Sequence, residues 1–155
     1  MNGIMHLLTP PIGAMPKTES SHRIEQNLPV VLVVDDGRII ADTLSAILGN
    51  NGFAAMTAYD GISALEIAAQ VPPHLLISDI VMPHITGIDL AIAIRNAVPD
   101  CEVILFSGQA STADLLTSER LAGHDFVTLT KPVHPADMLA RVSEHLALRR
   151  EAPGC

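Results

Sequence analysis

The chain has 155 residues, of which 48% are hydrophobic and only 3% aromatic, and its formal net charge is -8. There are enough apolar residues to bury one core, which must be aliphatic, as is typical of parallel α/β sheets. The negative charge argues against binding nucleic acid through phosphate contacts and against an anionic membrane surface.

Residues 1–27 form a predicted flexible N-terminal extension, because proline, serine, threonine and glycine interrupt them. No apolar run is long enough to span a bilayer, and the first residues lack the early positive charge of a signal peptide. The two cysteines, Cys101 and Cys155, do not make a disulfide framework. We therefore expect a reducing, cytoplasmic location and no membrane partner.

From residue 28 onwards, strand-like and helix-like patterns alternate. Short apolar runs indicate buried strands, and longer segments with apolar residues at helical spacing indicate helices. In chain order the elements are strand 30–34, helix 38–52 with a stop at its Gly49–Gly52 end, strand 53–59, helix 60–70 with Asp60 as N-cap, strand 74–78, helix 87–98, strand 102–107, helix 112–122, strand 125–130 and helix 135–150. This alternation predicts a doubly wound parallel sheet with helices on both faces and right-handed crossovers.

Polar residues stand where four of these strands end. Asp35 and Asp36 follow the first strand, Asp79 ends the third, Ser107 ends the fourth and Lys131 follows the fifth. Sites of open α/β sheets form at the carboxyl ends of the strands, so we expect these side chains to converge.

The residue types indicate phosphoryl chemistry. Three close acids repel one another, and a hard cation such as Mg²⁺ would relieve that repulsion. Lys131 and Ser107 could meet phosphoryl oxygens, which leaves Asp79 as the carboxylate nucleophile of an aspartyl-phosphate.

The motifs "VVLVVDDGR", "LLISDIVMPHITGIDL", "VILFSGQA" and "VTLTKPV" follow in order over residues 28–149. In this region the chain resembles the receiver (CheY-like) domain of bacterial two-component response regulators. The most specific part is the D-x-x-M-P-x-x-x-G stretch, in which Met82, Pro83 and Gly87 shape the turn after Asp79. The resemblance implies a receiver domain at 28–149, a C-terminal tail at 150–155 and the strand order 2-1-3-4-5, which is taken from the chemotaxis regulator of that family.

The resemblance also implies roles for the site residues. Asp79 would be phosphorylated by a sensor histidine kinase or a phosphotransfer protein. Asp35, Asp36 and Asp79 would hold Mg²⁺ with the backbone carbonyl of Val81. Ser107 and Lys131 would bind the phosphoryl oxygens. The chain would not be an enzyme, except that it would catalyse its own phosphorylation and dephosphorylation.

The expected output passes through the face formed by helix 112–122, strand 125–130 and helix 135–150, to an unidentified downstream protein or a homodimer formed on phosphorylation. We expect no second domain after residue 150 and no direct contact with nucleic acid. Ser107 and Thr128 occupy the switch positions, but the family usually has an aromatic residue where Thr128 stands. Phe126 lies on the same predicted face, two residues earlier.

Two alternatives remain open. An aspartyl-phosphate phosphatase would need a second acid two residues after Asp79, where this chain has Val81. A pseudo-receiver would bind partners without using phosphate, although all five site positions are filled. Each position also has a simpler interpretation: Asp35 or Asp36 could cap the next helix, Ser107 could cap a turn, and Lys131 could be a solvated loop residue.

Overall fold

A computed structural model of the chain describes residues 28–108, 124 and 126–151, with side chains of the last helix described as far as residue 147. The predicted extension 1–27 and the predicted helix 112–122 lie outside these residues, as does Cys155.

Strands and helices alternate along the described part of the chain as the sequence predicts. The elements are β1 (Val30–Val34), α1 (Arg38–Gly49), β2 (Ala54–Ala58), α2 (Gly61–Gln70), β3 (Leu75–Asp79), α3 (Gly87–Ala97), β4 (Glu102–Ser107), β5 (Val127–Thr130) and α4 (Pro135–Glu151).

The five strands form one sheet in the order β2-β1-β3-β4-β5, and every pair is parallel. The strand order implied by the family resemblance is therefore confirmed. Local sequence patterns do not reveal the strand order, because the order depends on where each crossover helix returns the chain.

Several boundaries differ slightly from those predicted. β3 begins after His74 and includes Asp79, because Asp79 pairs with Phe106 in the parallel ladder with β4. α1 ends at Gly49, inside the predicted stop, and Gly52 beyond it has a φ of 92°. That left-handed backbone suits glycine, which lacks a Cβ.

Apolar side chains of the strands pack on both faces of the sheet. Leu32 and Val34 of β1 belong to a cluster with α2 and α3, whereas Val31 and Val33 belong to a second cluster with α1 and α4. Alternate residues of a strand point to opposite faces, so a strand covered on both sides is apolar throughout. The doubly wound architecture is confirmed.

Two helix starts that bear on the site have side-chain caps. The carboxylate of Asp60 accepts a hydrogen bond from the Ser63 N–H at 2.7 Å, which confirms the predicted cap of α2. The hydroxyl of Thr86 accepts one from the Asp89 N–H at 3.1 Å and so begins α3. These caps satisfy backbone N–H groups that have no partner within the helix.

None of the described helices is both long and apolar enough to cross a bilayer.

Candidate functional site

The sheet brings the predicted site residues to one edge. Asp35 and Asp36 directly follow β1, Asp79 is the last residue of β3, and Ser107 is the last residue of β4. Lys131 directly follows β5, and its backbone N–H donates to the Ser107 carbonyl oxygen at 2.8 Å. The convergence expected from the sequence is therefore present, because all five strands are parallel.

Lys131 bridges two of the acids. Its Nζ atom lies 3.3 Å from Oδ2 of Asp35 and 3.4 Å from Oδ2 of Asp79. The side chains of Asp35 and Asp79 are only 4% and 14% exposed, so the ammonium group offsets much of the cost of burying them. Lys131 is thus part of the site rather than a solvated loop residue.

Asp35 is also held by the backbone of the following loop. Its Oδ1 atom accepts a hydrogen bond from the Gly37 N–H at 2.9 Å. Gly37 is the N-cap of α1 and, since it lacks a side chain, it cannot cap the helix with a side-chain hydrogen bond. Neither Asp35 nor Asp36 caps α1 with its side chain, so the simpler interpretation of this acid pair does not apply.

The third acid, Asp36, is exposed, and its carboxylate completes a group that could hold a metal ion. One carboxylate oxygen from each of Asp35, Asp36 and Asp79 lies within 4.8 Å of the other two. Oxygens bound at about 2.1 Å to one Mg²⁺ ion are about 2.9–4.2 Å apart, so small side-chain rotations would bring these three into range. An all-oxygen donor set of high negative charge fits a hard divalent cation.

Burial raises the pKa of the Asp79 carboxyl above its ordinary value of 3.8. The nearby Lys131 ammonium opposes this rise, and the negative charges of Asp35 and Asp36 add to it. Poor solvation and neighbouring carboxylates both disfavour the ionised form of a carboxyl group and so raise its pKa. The three acids are therefore electrostatically short of positive charge.

Gly87 lies against the backbone of Asp79. A Cβ at residue 87 would overlap the Asp79 carbonyl oxygen and would come 3.0 Å from Cα of Ile80. The Gly87 N–H donates to the Ile80 carbonyl oxygen at 2.8 Å. The glycine that the sequence motif singled out is thus needed so that α3 can begin beside the phosphoacceptor candidate.

The loop between Asp79 and Gly87 contains a tight turn at His84. This residue has a φ of 70°, and the Ile85 N–H donates to the Pro83 carbonyl oxygen across it at 2.8 Å. Such a γ-turn is uncommon for a residue with a side chain.

The peptide bond between Lys131 and Pro132, directly after β5, is cis.

Ser107 is buried at the end of β4, where it pairs in register with Thr130 of β5. This position lies between the strands that carry Asp79 and Lys131, so its hydroxyl is at the correct edge of the sheet for the predicted role.

Exposed apolar side chains lie at the same edge of the sheet as the acids. Ile39 at the start of α1 is 82% exposed, Ile62 at the start of α2 is 59% exposed, and Val81 just after β3 is 54% exposed. We call these three residues the apolar rim. The exposure of Ile39 and Ile62 could not be predicted from the sequence, because an isoleucine in a helix gives no sequence signal of exposure.

The switch position and its neighbour differ in environment. Thr128 in β5 is exposed, whereas Phe126 packs against the core cluster of α2 and α3. The ring of Phe126 stacks on His124 with centroids 5.0 Å apart, and the guanidinium of Arg95 lies 5.3 Å from its centroid. These contacts join α3 to the start of β5, and they were not predicted from the sequence.

A contact between Arg38 and Tyr59, close in sequence to Asp36, was also not predicted from the sequence. The guanidinium of Arg38 lies 4.3 Å from the centroid of the Tyr59 ring. The Tyr59 hydroxyl in turn donates to Oδ1 of Asp42 at 2.6 Å. An arginine and an acid four residues apart on one helix face are visible in the sequence, but their shared contact with Tyr59 depends on the pairing of β1 with β2.

Comparison with known families and proteins places the same segment in one group. A family model described as the response regulator receiver domain matches residues 31–143. Response regulator MprA of Mycobacterium tuberculosis (strain ATCC 25618 / H37Rv) is 32% identical over 126 residues, which cover 79% of this chain and 52% of MprA. MprA of Mycobacterium leprae (strain TN) matches with the same identity and coverage. The chain spans about half the length of these curated relatives.

Solved structures give the same picture. A response regulator receiver domain protein (CheY-like) from Methanospirillum hungatei JF-1 is 27% identical, with a TM-score of 0.73 over 81% of this chain and 98% of the other. A two component transcriptional regulator AraC from Clostridium phytofermentans ISDg is 28% identical, with a TM-score of 0.71 over 79% of this chain and 96% of the other.

Proposed function

The chain belongs to the response regulator receiver domain family of two-component systems, and from this premise we propose that Asp79 accepts a phosphoryl group. One observation carries the proposal. Asp79 ends β3 at the edge of the sheet, beside two further acids and 3.4 Å from a lysine ammonium. A nucleophile next to a cation is the arrangement that phosphoryl transfer needs, since positioning and charge neutralisation dominate that reaction.

The donor would be a phosphohistidine of a sensor histidine kinase or of a phosphotransfer protein. An oxygen of the Asp79 carboxylate would attack phosphorus as the phosphorus–nitrogen bond breaks, and the bonding electrons would leave with the histidine nitrogen. No general base is needed, because the attacking carboxylate carries no proton.

Lys131 and Ser107 would bind oxygens of the transferred group. Lys131 already faces Asp79, so a short movement of its flexible side chain would carry the ammonium from the carboxylate to a phosphoryl oxygen. The Ser107 hydroxyl, on the strand between them, would donate to another oxygen. Both contacts offset the negative charge of the phosphoryl group, whereas the Asp79 carboxylate adds to that charge.

Asp35, Asp36 and Asp79 fit a divalent cation, and we propose Mg²⁺, with the backbone carbonyl of Val81 as a further ligand. When bound, the ion would shield the acids from the incoming phosphoryl group. Asp35 is fixed by Lys131 and Gly37, whereas Asp36 is exposed and can adjust. This difference supports a site with one rigid and one adaptable carboxylate.

The apolar rim supports a protein as the donor. A protein that delivers a phosphoryl group to Asp79 would approach the edge of the sheet at which Ile39, Ile62 and Val81 are exposed, and its apolar surface would cover these side chains. A small phosphodonor would leave them in water.

The signal would leave through β5 and α4, together with the predicted helix 112–122. Phosphorylation would shift an equilibrium between two forms of this face, which would bind a downstream protein or a second copy of the chain. We further propose that the chain works in a reducing, cytoplasmic setting. Cys101, a buried cysteine, is compatible with it.

Mass spectrometry of the intact chain, incubated with acetyl phosphate and Mg²⁺, tests the proposal. We expect one added phosphoryl group in the parent and none in Asp79→Asn or when EDTA replaces Mg²⁺. Lasting labelling supports a receiver, continuous turnover of acetyl phosphate would indicate a phosphatase, and no labelling would indicate a pseudo-receiver. Full labelling of Asp79→Asn would place the phosphoacceptor elsewhere.

A further inference from the structure

Asp36 and Arg38 lie two residues apart and carry opposite charges, yet they are not paired. Within the described residues, no ion pair or hydrogen bond joins Asp36 to another side chain, and the Arg38 guanidinium instead lies 4.3 Å from the Tyr59 ring centroid. Both side chains are exposed. Of these two groups, the one that the arginine contacts is the Tyr59 ring and not the Asp36 carboxylate.

The electrostatic surroundings of Arg38 make this placement more unusual. It is the first residue of α1, where the helix dipole is positive, and the first turn contains no acid. Asp35, Asp36 and Asp79 together carry more negative charge than Lys131 offsets. A guanidinium at this position would gain by moving towards the acids, and Asp36 is the one that Lys131 does not reach.

Tyr59 supplies the competing contact. Its ring offers Arg38 a cation–π interaction, which at an exposed site is similar in strength to an exposed ion pair. The ring is held in place because its hydroxyl donates to the Asp42 carboxylate at 2.6 Å, a short charge-assisted bond. Since the two alternatives are closely matched, this fixed ring decides where Arg38 lies.

From this geometry we propose that Tyr59 and Asp42 are positioning residues that hold Arg38 away from Asp36 and so keep the Asp36 carboxylate available to a divalent cation. The inference rests on the proposed magnesium site. Without the ring, Arg38 would be shared between Asp42, four residues along the same helix, and Asp36. A cation entering the acidic group would then have to displace it from Asp36. The arrangement would therefore set the affinity for Mg²⁺ without any contact between Tyr59 and the ion.

Calorimetric titration of MgCl₂ into the full chain at low, constant ionic strength tests this inference with four proteins: the parent, Tyr59→Leu, Arg38→Gln and the double variant. We expect Tyr59→Leu to bind Mg²⁺ about two- to fivefold more weakly than the parent, in line with the strength of an exposed ion pair. Arg38→Gln should bind at least as well as the parent, and the double variant should bind as Arg38→Gln does, because Tyr59 acts only through Arg38. A merely structural role for Tyr59 would not be rescued by removal of Arg38.

The outcomes separate the inference from the function on which it rests. Parent-like binding by Tyr59→Leu would overturn the inference, and so would a double variant as weak as Tyr59→Leu. A parent chain that does not bind Mg²⁺ would overturn the proposed metal site as well. If Tyr59→Leu fails to fold, Tyr59→Phe replaces it, because loss of the hydroxyl alone should weaken binding in the same direction by a smaller factor, whereas unchanged binding would contradict the inference.

Discussion

Lys131 reaches back across the end of the sheet to Asp79, with 3.4 Å between Nζ and Oδ2. The same ammonium lies 3.3 Å from Asp35, so one cation serves two largely buried carboxylates that belong to different strands. It therefore couples the end of β5 to the ends of β1 and β3. The stability of the metal-free site therefore depends on this single ammonium group.

Replacement of Lys131 by methionine should destabilise the fold when no metal is present. The change keeps the length of the side chain but leaves Asp35 and Asp79 without their cation. We expect a loss of about 1–3 kcal/mol in the free energy of unfolding, less than for a fully buried pair because the lysine is partly exposed. Urea unfolding in EDTA measures it. Lys131→Arg is the matched control and should lose less, and Mg²⁺ should restore part of the stability of Lys131→Met. Equal stability of parent and Lys131→Met in EDTA would contradict this account.

Asp79→Asn should stabilise the metal-free chain at neutral pH. The Asp79 pKa is raised in the folded state, so the folded chain holds this proton more tightly than the unfolded chain does. The parent is therefore penalised as pH rises above the ordinary value of 3.8, and the penalty disappears below it. We expect the melting temperature of Asp79→Asn in EDTA to exceed that of the parent by a few degrees at neutral pH and to converge with it in acid. A gap that widens in acid would show that the pKa shift has the opposite sign.

Gly87→Ala should be strongly destabilising. The added methyl group would overlap the backbone of Asp79, and backbone cannot move aside as the end of a flexible side chain can. We expect a loss of about 2–4 kcal/mol, together with slower phosphorylation because Asp79 would be displaced. Gly49→Ala is the matched control, since no atom lies within 4 Å of a Cβ at that position. Denaturant unfolding of both variants provides the comparison, and similar losses in the two would contradict a specific clash at Gly87.

The γ-turn at His84 makes opposite predictions for two substitutions. Valine is β-branched and poorly suited to a φ of 70°, so His84→Val should lose about 1–2 kcal/mol. His84→Gly relieves the strain while it adds freedom to the unfolded chain, so its stability should match or slightly exceed that of the parent. Thermal unfolding at neutral pH distinguishes them. If glycine proved more destabilising than valine, the turn would not be strained.

Val81→Asn should shorten the lifetime of the phosphorylated state. Val81 is exposed two residues after Asp79 and offers no hydrogen bond to a water that attacks phosphorus. Asparagine can orient such a water, and a barrier lower by about 1.4 kcal/mol would speed hydrolysis tenfold. Loss of the phosphoryl mass over time, at saturating Mg²⁺, measures the rate. Val81→Leu is the apolar control and should decay like the parent, and parent-like decay of Val81→Asn would remove the role proposed for this position.

Local features of the sequence were sufficient for the types of the described elements and for the cap of α2. The continuous apolar run of β1 and the cap at Asp60 were predicted correctly, because each depends on residues a few positions apart. The position of Asp79 at a strand end was likewise readable, since a charged residue seldom continues a buried run. Even so, the end of β3 was placed one residue early, because only the pairing of Asp79 with Phe106 extends the strand to the acid.

The contacts that organise the site depend on the folded structure. Lys131 meets Asp35 and Asp79 because β5, β4, β3 and β1 lie side by side, an order that follows from crossover connections rather than from any local pattern. In the same way, Arg38 stacks on Tyr59 instead of pairing with Asp36 only because β2 lies next to β1. The sequence by itself determined which groups reach the edge of the sheet, since element type and length are local properties. The tertiary structure alone decided which of these groups touch, because contacts between distant residues depend on the packing of the whole chain.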